Sequence, residues 1–189
     1  MSKKNLSVRE AIRERRSIKN LNGTPVEEKV VLDVLEDAVW APNHGHRNPW
    51  RFIVAAGDDY PKLLELLKET AIPNWESLDE ETLEKQMKRF SGAGAAVFVI
   101  VPEDARQKER LEDFAAASAL VQNAQLIAWD EGVGTCWKTP PFLDSPKFRE
   151  RLGVKPGERI ISMLQFGYYD KEPKARERTP LDELVTRFE

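Results

Sequence analysis

The sequence predicts a single mixed α/β or α+β domain. Three observations carry this: helical apolar periodicity outweighs strand-like runs, the strand candidates are separated by helical stretches, and no composition break divides the chain. A chain of 189 residues, 41% of them apolar, can bury one full core without a disulfide or metal staple.

The elements follow in order. Ser7-Val8-Arg9-Glu10 is a capping box opening a helix to about Arg16. Thr24-Pro25-Val26-Glu27 carries a cap, an early proline and a glutamate, predicting a second helix start. Val31, Val34, Leu35 and Ala38 line one face of that helix, which runs to about Trp40. Pro42 to Pro49 reads as a loop, and Trp50 to Ala56 as a strand ended by Gly57-Asp58. Asp59 to Thr70 is a helix with Leu63, Leu66 and Leu67 inside; residues 73–90 read as a loop and an acidic-basic surface helix. The continuous apolar run Ala95 to Val101 predicts a strand buried on both faces.

Residues from about Arg110 to Glu131 form the strongest helical pattern. Phe114, Ala117, Val121, Ala124 and Ala128 share one side, while Ala115, Ala119 and Leu126 lie on others. Such a helix belongs in the centre of the fold or at a subunit interface. Gly132 stops it, Ser145-Pro146 opens a short helix ending at Gly153, and Arg159 to Tyr168 is a last strand. Asp170 to Glu189 is polar, with two prolines and little core of its own; it needs a surface to lie on.

Composition excludes several classes. With 29 Lys and Arg against 32 Asp and Glu, the chain lacks the basic surplus of a protein that neutralises many phosphates, so no nucleic-acid partner is expected. One cysteine, Cys136, rules out a disulfide framework or a multi-thiolate zinc site. Met1 to Asn5 has no apolar run of a signal peptide and no segment is long enough to cross a bilayer, so a cytoplasmic protein without a membrane partner is expected.

Three constellations bear chemistry. Glu14-Arg15-Arg16-Ser17-Ile18-Lys19, at the end of the first helix, gathers three cations and a hydroxyl, an arrangement suited to phosphate oxygens. A solvated helix end, its cations offsetting the helix dipole, is the plainer reading on composition alone. The loop Ala41-Pro42-Asn43-His44-Gly45-His46-Arg47-Asn48-Pro49-Trp50 holds both histidines, an arginine and two amides between rigid elements. Two imidazoles without a spaced carboxylate or thiol make no metal site, and a polar turn built by Asn and Pro is the simpler account. Gly132-Val133-Gly134-Thr135-Cys136-Trp137-Lys138-Thr139 could wall a flat aromatic ligand. Cys136, with no adjacent histidine, reads as a small buried residue, not a nucleophile. Gly92-Ala93-Gly94 mimics a dinucleotide fingerprint, but a strand follows it where a helix is required, so it is a turn.

Taken in order, these segments resemble the FMN-dependent nitroreductase family, particularly its compact bacterial NAD(P)H nitroreductases. The matches are Arg15-Arg16-Ser17-Ile18-Lys19; Ala41-Pro42-Asn43-His44 with Asn48-Pro49-Trp50-Arg51-Phe52; Gly132-Val133-Gly134 with Trp137-Lys138-Thr139; and Gly167-Tyr168 with Pro173 to Pro180. Together they span about residues 7 to 185.

The resemblance implies an α+β fold with a central mixed β-sheet flanked by helices, in an intertwined homodimer with C-terminal tail exchange. It implies one domain over residues 1–189, its arm from about 170 packing on the partner subunit. Two FMN sites would lie at the interface. Arg15 and Ser17, with Arg16 nearby, would hold the phosphate and ribityl chain, and Lys19 the pyrimidine edge. Asn43, His44 and Asn48 would come from the partner subunit. Trp137, Lys138 and Thr139 would line the ring's edge, and Arg176 and Arg178 would reach the phosphate. No side chain is a catalytic nucleophile: flavin N5 would take hydride from NADH or NADPH and pass it to a nitroaromatic, quinone or related acceptor by a ping-pong route. The alternative is an FMN-holding protein without nicotinamide turnover. His44 and Asn48 stand where many larger members carry Ser and Gln, which bears on acceptor choice.

Overall fold

The computed structural model describes residues 3–188. Seven α-helices and four strands occur among them: α1 (Val8–Glu14), α2 (Glu28–Ala38), β1 (Arg51–Ala56), α3 (Tyr60–Ala71), α4 (Glu80–Ser91), β2 (Ala95–Pro102), α5 (Gln107–Asp130), β3 (Gly134–Lys138), α6 (Pro146–Leu152), β4 (Glu158–Gly167) and α7 (Leu181–Leu184). The capping box is present, Ser7 accepting from the Glu10 amide while the Glu10 carboxylate accepts from Ser7.

The sheet has the order β1-β2-β4-β3, and every neighbouring pair of these strands is antiparallel. The parallel component of the expected mixed sheet is one isolated bridge, Ser17 with Thr135, on the free edge of β3. Helices cover both faces, and β2 explains why. Val97, Val99 and Val101 enter a core with Val31, Val34 and Leu35 of α2 and Leu120, Val121 and Ala124 of α5. The alternating Ala96, Phe98 and Ile100 enter a second core with Leu63, Leu66 and Leu67 of α3, Phe90 of α4 and Phe148 of α6. Period-two alternation with both sets apolar produces the unbroken apolar run.

The bridge stays short because the chain then leaves β3 and crosses the end of the sheet as a strap. The Ile18 amide donates to Thr135 O (2.9 Å), the Asn22 amide to Tyr168 O (2.9 Å) and the Val26 amide to Gly94 O (3.3 Å). The strap thus touches β3, then the residue after β4, then the turn before β2. Glycine sits under each crossing. An added Cβ on Gly134 would meet Ile18, one on Gly167 would meet Leu21, and one on Gly94 would lie 2.3 Å from Thr24 O. The Gly92–Gly94 turn is therefore shaped by close backbone approach.

The strap also corrects the predicted start of the second helix. Val26 is buried and tied to Gly94, so Thr24 and Pro25 remain outside and α2 begins at Glu28. The first helix ends at Glu14, not Arg16, because Arg15 already has φ −53° and ψ 133°. β3, absent from the sequence reading, forms where five residues pair with β4. Phe114, placed with the buried side of α5, is instead exposed along with Leu111, while Ala117, Val121, Ala124 and Ala128 are buried.

Among the described residues no helix is long and apolar enough to cross a membrane. The start of the tail is anchored: Lys4 Nζ donates to Glu172 (2.8 Å) and Asn22 Nδ2 to Asp170 (3.0 Å). Residues 170–188 are exposed throughout.

Candidate functional site

The strap and the edge strand place cations together around one buried thiol. Arg15 leaves α1 in an extended conformation, and the side chain turns inward. Its Nε and Nη1 are buried with no hydrogen-bond partner among the described residues. Burial, with Arg16 and Arg178 nearby, lowers the proton affinity of this guanidinium. Cys136 lies within reach of the charges of Lys138, Lys19 and Arg15, yet burial dominates and pushes its thiol up. Cys136 is therefore a protonated, unreactive residue near neutral pH. Burial, opposed by Cys136 and reinforced by Arg89 and Lys19, lowers the proton affinity of Lys138.

Arg15, Lys19 and Lys138 thus share one field, joined by Arg16, Arg89 and Arg178 at its margins. Among the described residues, no carboxylate is one of the groups acting on Arg15 or Lys138. Buried donors without an acceptor cost free energy of about 1–3 kcal/mol each, more for charged groups. A fold retains them where an acceptor arrives from outside, and here the donor set calls for a multiply charged anion.

Not all the predicted residues join this cluster in the same way. Arg16 follows the plainer reading, because its Nη1 caps the end of α1 by donating to Arg13 O (2.7 Å) and Arg15 O (3.0 Å). Ser17 is exposed on the strap. Trp137 and Lys138 are adjacent on β3 and so point to opposite faces. Trp137 packs on the core that includes α2 and α5, whereas Lys138 Nζ donates to Arg89 O (3.1 Å) at the end of α4. They do not form one wall. Thr139 and Arg176 are exposed.

Asn43, His44 and Asn48 lie elsewhere. Asn43 Oδ1 accepts from the Asn48 amide (2.9 Å) and its Nδ2 donates to Asn48 Oδ1 (3.3 Å). This loop packs on α5 near Asp113, whereas the strap contacts the strand whose Thr135 meets Gln125 of α5. Twelve residues of helix separate those levels, about 18 Å of rise. One chain does not bring the loop and the cations together. Pro42, Asn43 and His44 instead line an open trough with Glu112, Ala115, Ala116 and Ala119.

Three features escaped the sequence reading. Arg89 lay in a segment read only as surface helix. Gln125 supports Thr135 from inside the core (3.4 Å), and Arg47 forms an ion pair across 66 positions of sequence. Among the described residues no group of His, Cys, Asp and Glu could hold a metal ion.

A model of the Nitroreductase family matches residues 12–168, and the chain belongs to that family. A curated relative from Bacillus subtilis, "Putative NAD(P)H nitroreductase YfhC", is 34% identical over 182 residues, covering 96% of this chain and 94% of the relative. Among solved structures, the nitroreductase-like family protein from Bacillus cereus is 37% identical with a TM-score of 0.84, covering 97% of each chain. A "putative nitroreductase in complex with FMN" from Desulfovibrio desulfuricans is 26% identical with a TM-score of 0.73, covering 96% of each.

Proposed function

We propose that this chain is an FMN-dependent oxidoreductase that moves a hydride equivalent from NADH or NADPH to a nitroaromatic, quinone or related small acceptor, working as a homodimer. The observation that carries the proposal is Arg15, whose buried Nε and Nη1 have no partner beside Arg178. FMN phosphate carries about −1.5 to −2 charges near pH 7, and charge-assisted bonds from clustered guanidinium groups match it. The related structure solved with FMN and the family match support the same cofactor.

In this reading Arg15 and Ser17 bind the phosphate and ribityl chain, Arg178 adds charge, and Arg16 fixes the end of α1 beside them. Lys19 sits at the pyrimidine edge, where a cation favours the reduced ring. When bound, FMN supplies two-electron chemistry, accepting hydride from the nicotinamide and giving it up to the second substrate. Asn43, His44 and Asn48 complete the opposite wall from the partner subunit, consistent with their distance from the cations within one chain. The exposed apolar residues of α1 (Val8, Ile12) and α5 (Leu111, Phe114) offer the dimer a contact face.

The test is direct. The purified protein should be yellow, with about one FMN per chain, and anaerobic NADH or NADPH should bleach it. A colourless protein that does not take up FMN would refute the flavin reading. A yellow protein that neither nicotinamide reduces would leave an FMN-holding protein without turnover.

A further inference from the structure

The Asn43–Asn48 loop has a backbone that is costly to hold. Gly45 (φ 63°), His46 (φ 50°) and Asn48 (φ 46°) are all left-handed. For His46 this costs roughly 1–2 kcal/mol, and less for Asn48, a residue type that visits this region more readily, so something must over-determine the conformation. Two devices do. One is the reciprocal pair of amide bonds between Asn43 and Asn48 described above. The other is Arg47, the residue between the left-handed positions. Its Nε and Nη2 both donate to Asp113 Oδ1 (3.1 and 2.6 Å). Nη2 also reaches Glu112 Oε2 (3.3 Å) and Glu109 O (3.5 Å).

Asp113 is 3% exposed, a carboxylate placed inside the apolar central helix. Nothing in the anion cluster uses it, since it lies on the far part of α5. Only the carboxylate of this pair is buried, Arg47 being exposed, and desolvation of that buried partner offsets the attraction, so the pair is a poor source of net stability. Its use is geometric: a two-pronged guanidinium on a fixed carboxylate sets position and direction together. Engaging Arg47 in this way also removes the loop's only cation from the trough. What remains on the loop side of the trough is the Asn43 amide and the His44 imidazole, above a floor of Ala115, Ala116 and Ala119 with Glu112 at the rim. That lining suits an uncharged planar molecule with polar substituents and discourages a phosphate.

We infer that the Arg47–Asp113 clasp is a positioning device for acceptor specificity. By pinning the loop to α5 it fixes Asn43 and His44 as the wall against which the second substrate lies. This rests on the flavin reading given above and deepens it. Arg47 touches neither cofactor nor acceptor; it acts through the loop.

The experiment uses the FMN-loaded dimer with menadione and p-nitrobenzamide, both uncharged, as probe acceptors, and two variants. Arg47→Lys keeps the charge opposite Asp113 but loses the fork. The double variant Arg47→Met, Asp113→Leu removes both charges together, so that no unpaired carboxylate is left to unfold the protein. Both variants should keep their FMN and still be bleached by nicotinamide. Both should raise the acceptor KM by about tenfold with a smaller change in kcat, the signature of lost positioning. Amide hydrogen exchange over residues 43–48 should quicken in both.

Unchanged acceptor KM in both variants would overturn the proposal, as would full recovery in Arg47→Lys, which would mean that charge alone suffices. Loss of FMN from both would also overturn it, because the clasp would then serve cofactor retention and not acceptor choice. A wild-type protein that binds no FMN would sink the flavin reading. The exchange measurement would still judge the clasp: unaltered protection of residues 43–48 would show that it pins nothing.

Discussion

Gly134 brings the backbone of β3 so close to Ile18 that a methyl group on it would lie 2.9 Å from Ile18 Cγ1, and 2.7 Å from Cδ1 of Tyr169. Both neighbours are buried, in a cluster with Trp129, so neither can swing away. The strap that carries Ser17 and Lys19 is seated by the absence of a side chain beneath it.

The variant Gly134→Ala should therefore lower both stability and cofactor retention. Overpacking of this kind costs about 1–3 kcal/mol, and the displaced strap should weaken FMN binding by roughly tenfold if Ser17 moves out of bonding range. Gly153→Ala is the control. It is left-handed (φ 83°) but a Cβ there meets nothing within 4 Å, so it should cost about 1–2 kcal/mol and leave FMN affinity unchanged. Thermal unfolding and flavin fluorescence titration measure the two effects separately.

Arg15→Met should separate folding from function. The substitution removes two buried donors that lack partners, so the apoprotein should be at least as stable as the parent. FMN should bind roughly 10- to 100-fold more weakly, the worth of a charge-assisted bond. Ser17→Ala, on an exposed residue, should weaken FMN less and leave apoprotein stability unchanged. An Arg15→Met protein with unaltered FMN affinity would remove Arg15 from the phosphate site.

The contrast between these residues shows what sequence can carry. The apolar run of β2, the capping box of α1 and the Leu63-Leu66-Leu67 face of α3 were legible because periodicity reports burial directly. The strap was not. Thr24-Pro25 has every local mark of a helix start, yet the tie between Val26 and Gly94, a tertiary contact, overrides it. Likewise β3 is five residues of mixed polarity whose strand character comes from pairing with β4. The cations of residues 15–19 could be read as an anion site or as a solvated helix end. The structure divides the two arginines: Arg16 caps α1, while Arg15 turns buried donors inward. The pairing of Arg47 with Asp113 had no signal in one sequence, since nothing local distinguishes that arginine from a solvated one.

Lys138 gives a pH dependence with opposite signs for folding and binding. Its proton affinity is lowered mainly by burial, from an ordinary pKa of 10.5. The unfolded chain therefore binds this proton more tightly than the folded one. The charged side chain destabilises the apoprotein fully below the lowered value, and the penalty is relieved as pH rises towards 10.5. An anion at the site favours the charged form, so FMN affinity should fall as pH rises through that same window. Lys138→Met should flatten both trends. Chemical denaturation of the apoprotein and FMN titration, each across neutral to alkaline pH, test this; parallel trends would contradict the assignment.

The tail offers the last test. Leu181, Leu184 and Val185 are more than half exposed and Phe188 is fully exposed, four apolar side chains on a segment that is otherwise charged. Isolated exposed apolar residues are ordinary, but four of them on an arm whose residues are exposed throughout call for a surface. Val8, Ile12, Leu111 and Phe114 provide an exposed apolar set on α1 and α5, and a second copy of the chain presents the same set. Ending the chain after Asp170 keeps every buried residue of the two main cores, so the truncated protein should still fold. It should sediment as a monomer, or as a dimer at least tenfold weaker, and should lose FMN because Arg178 leaves with the tail. The variant Phe188→Ser, which removes one large apolar contact and no cation, should weaken association while sparing the charge at the site. A truncated protein that remained a tight, yellow dimer would show that α1 and α5 hold the subunits together without the arm, and that the phosphate needs only Arg15 and its neighbours on the strap.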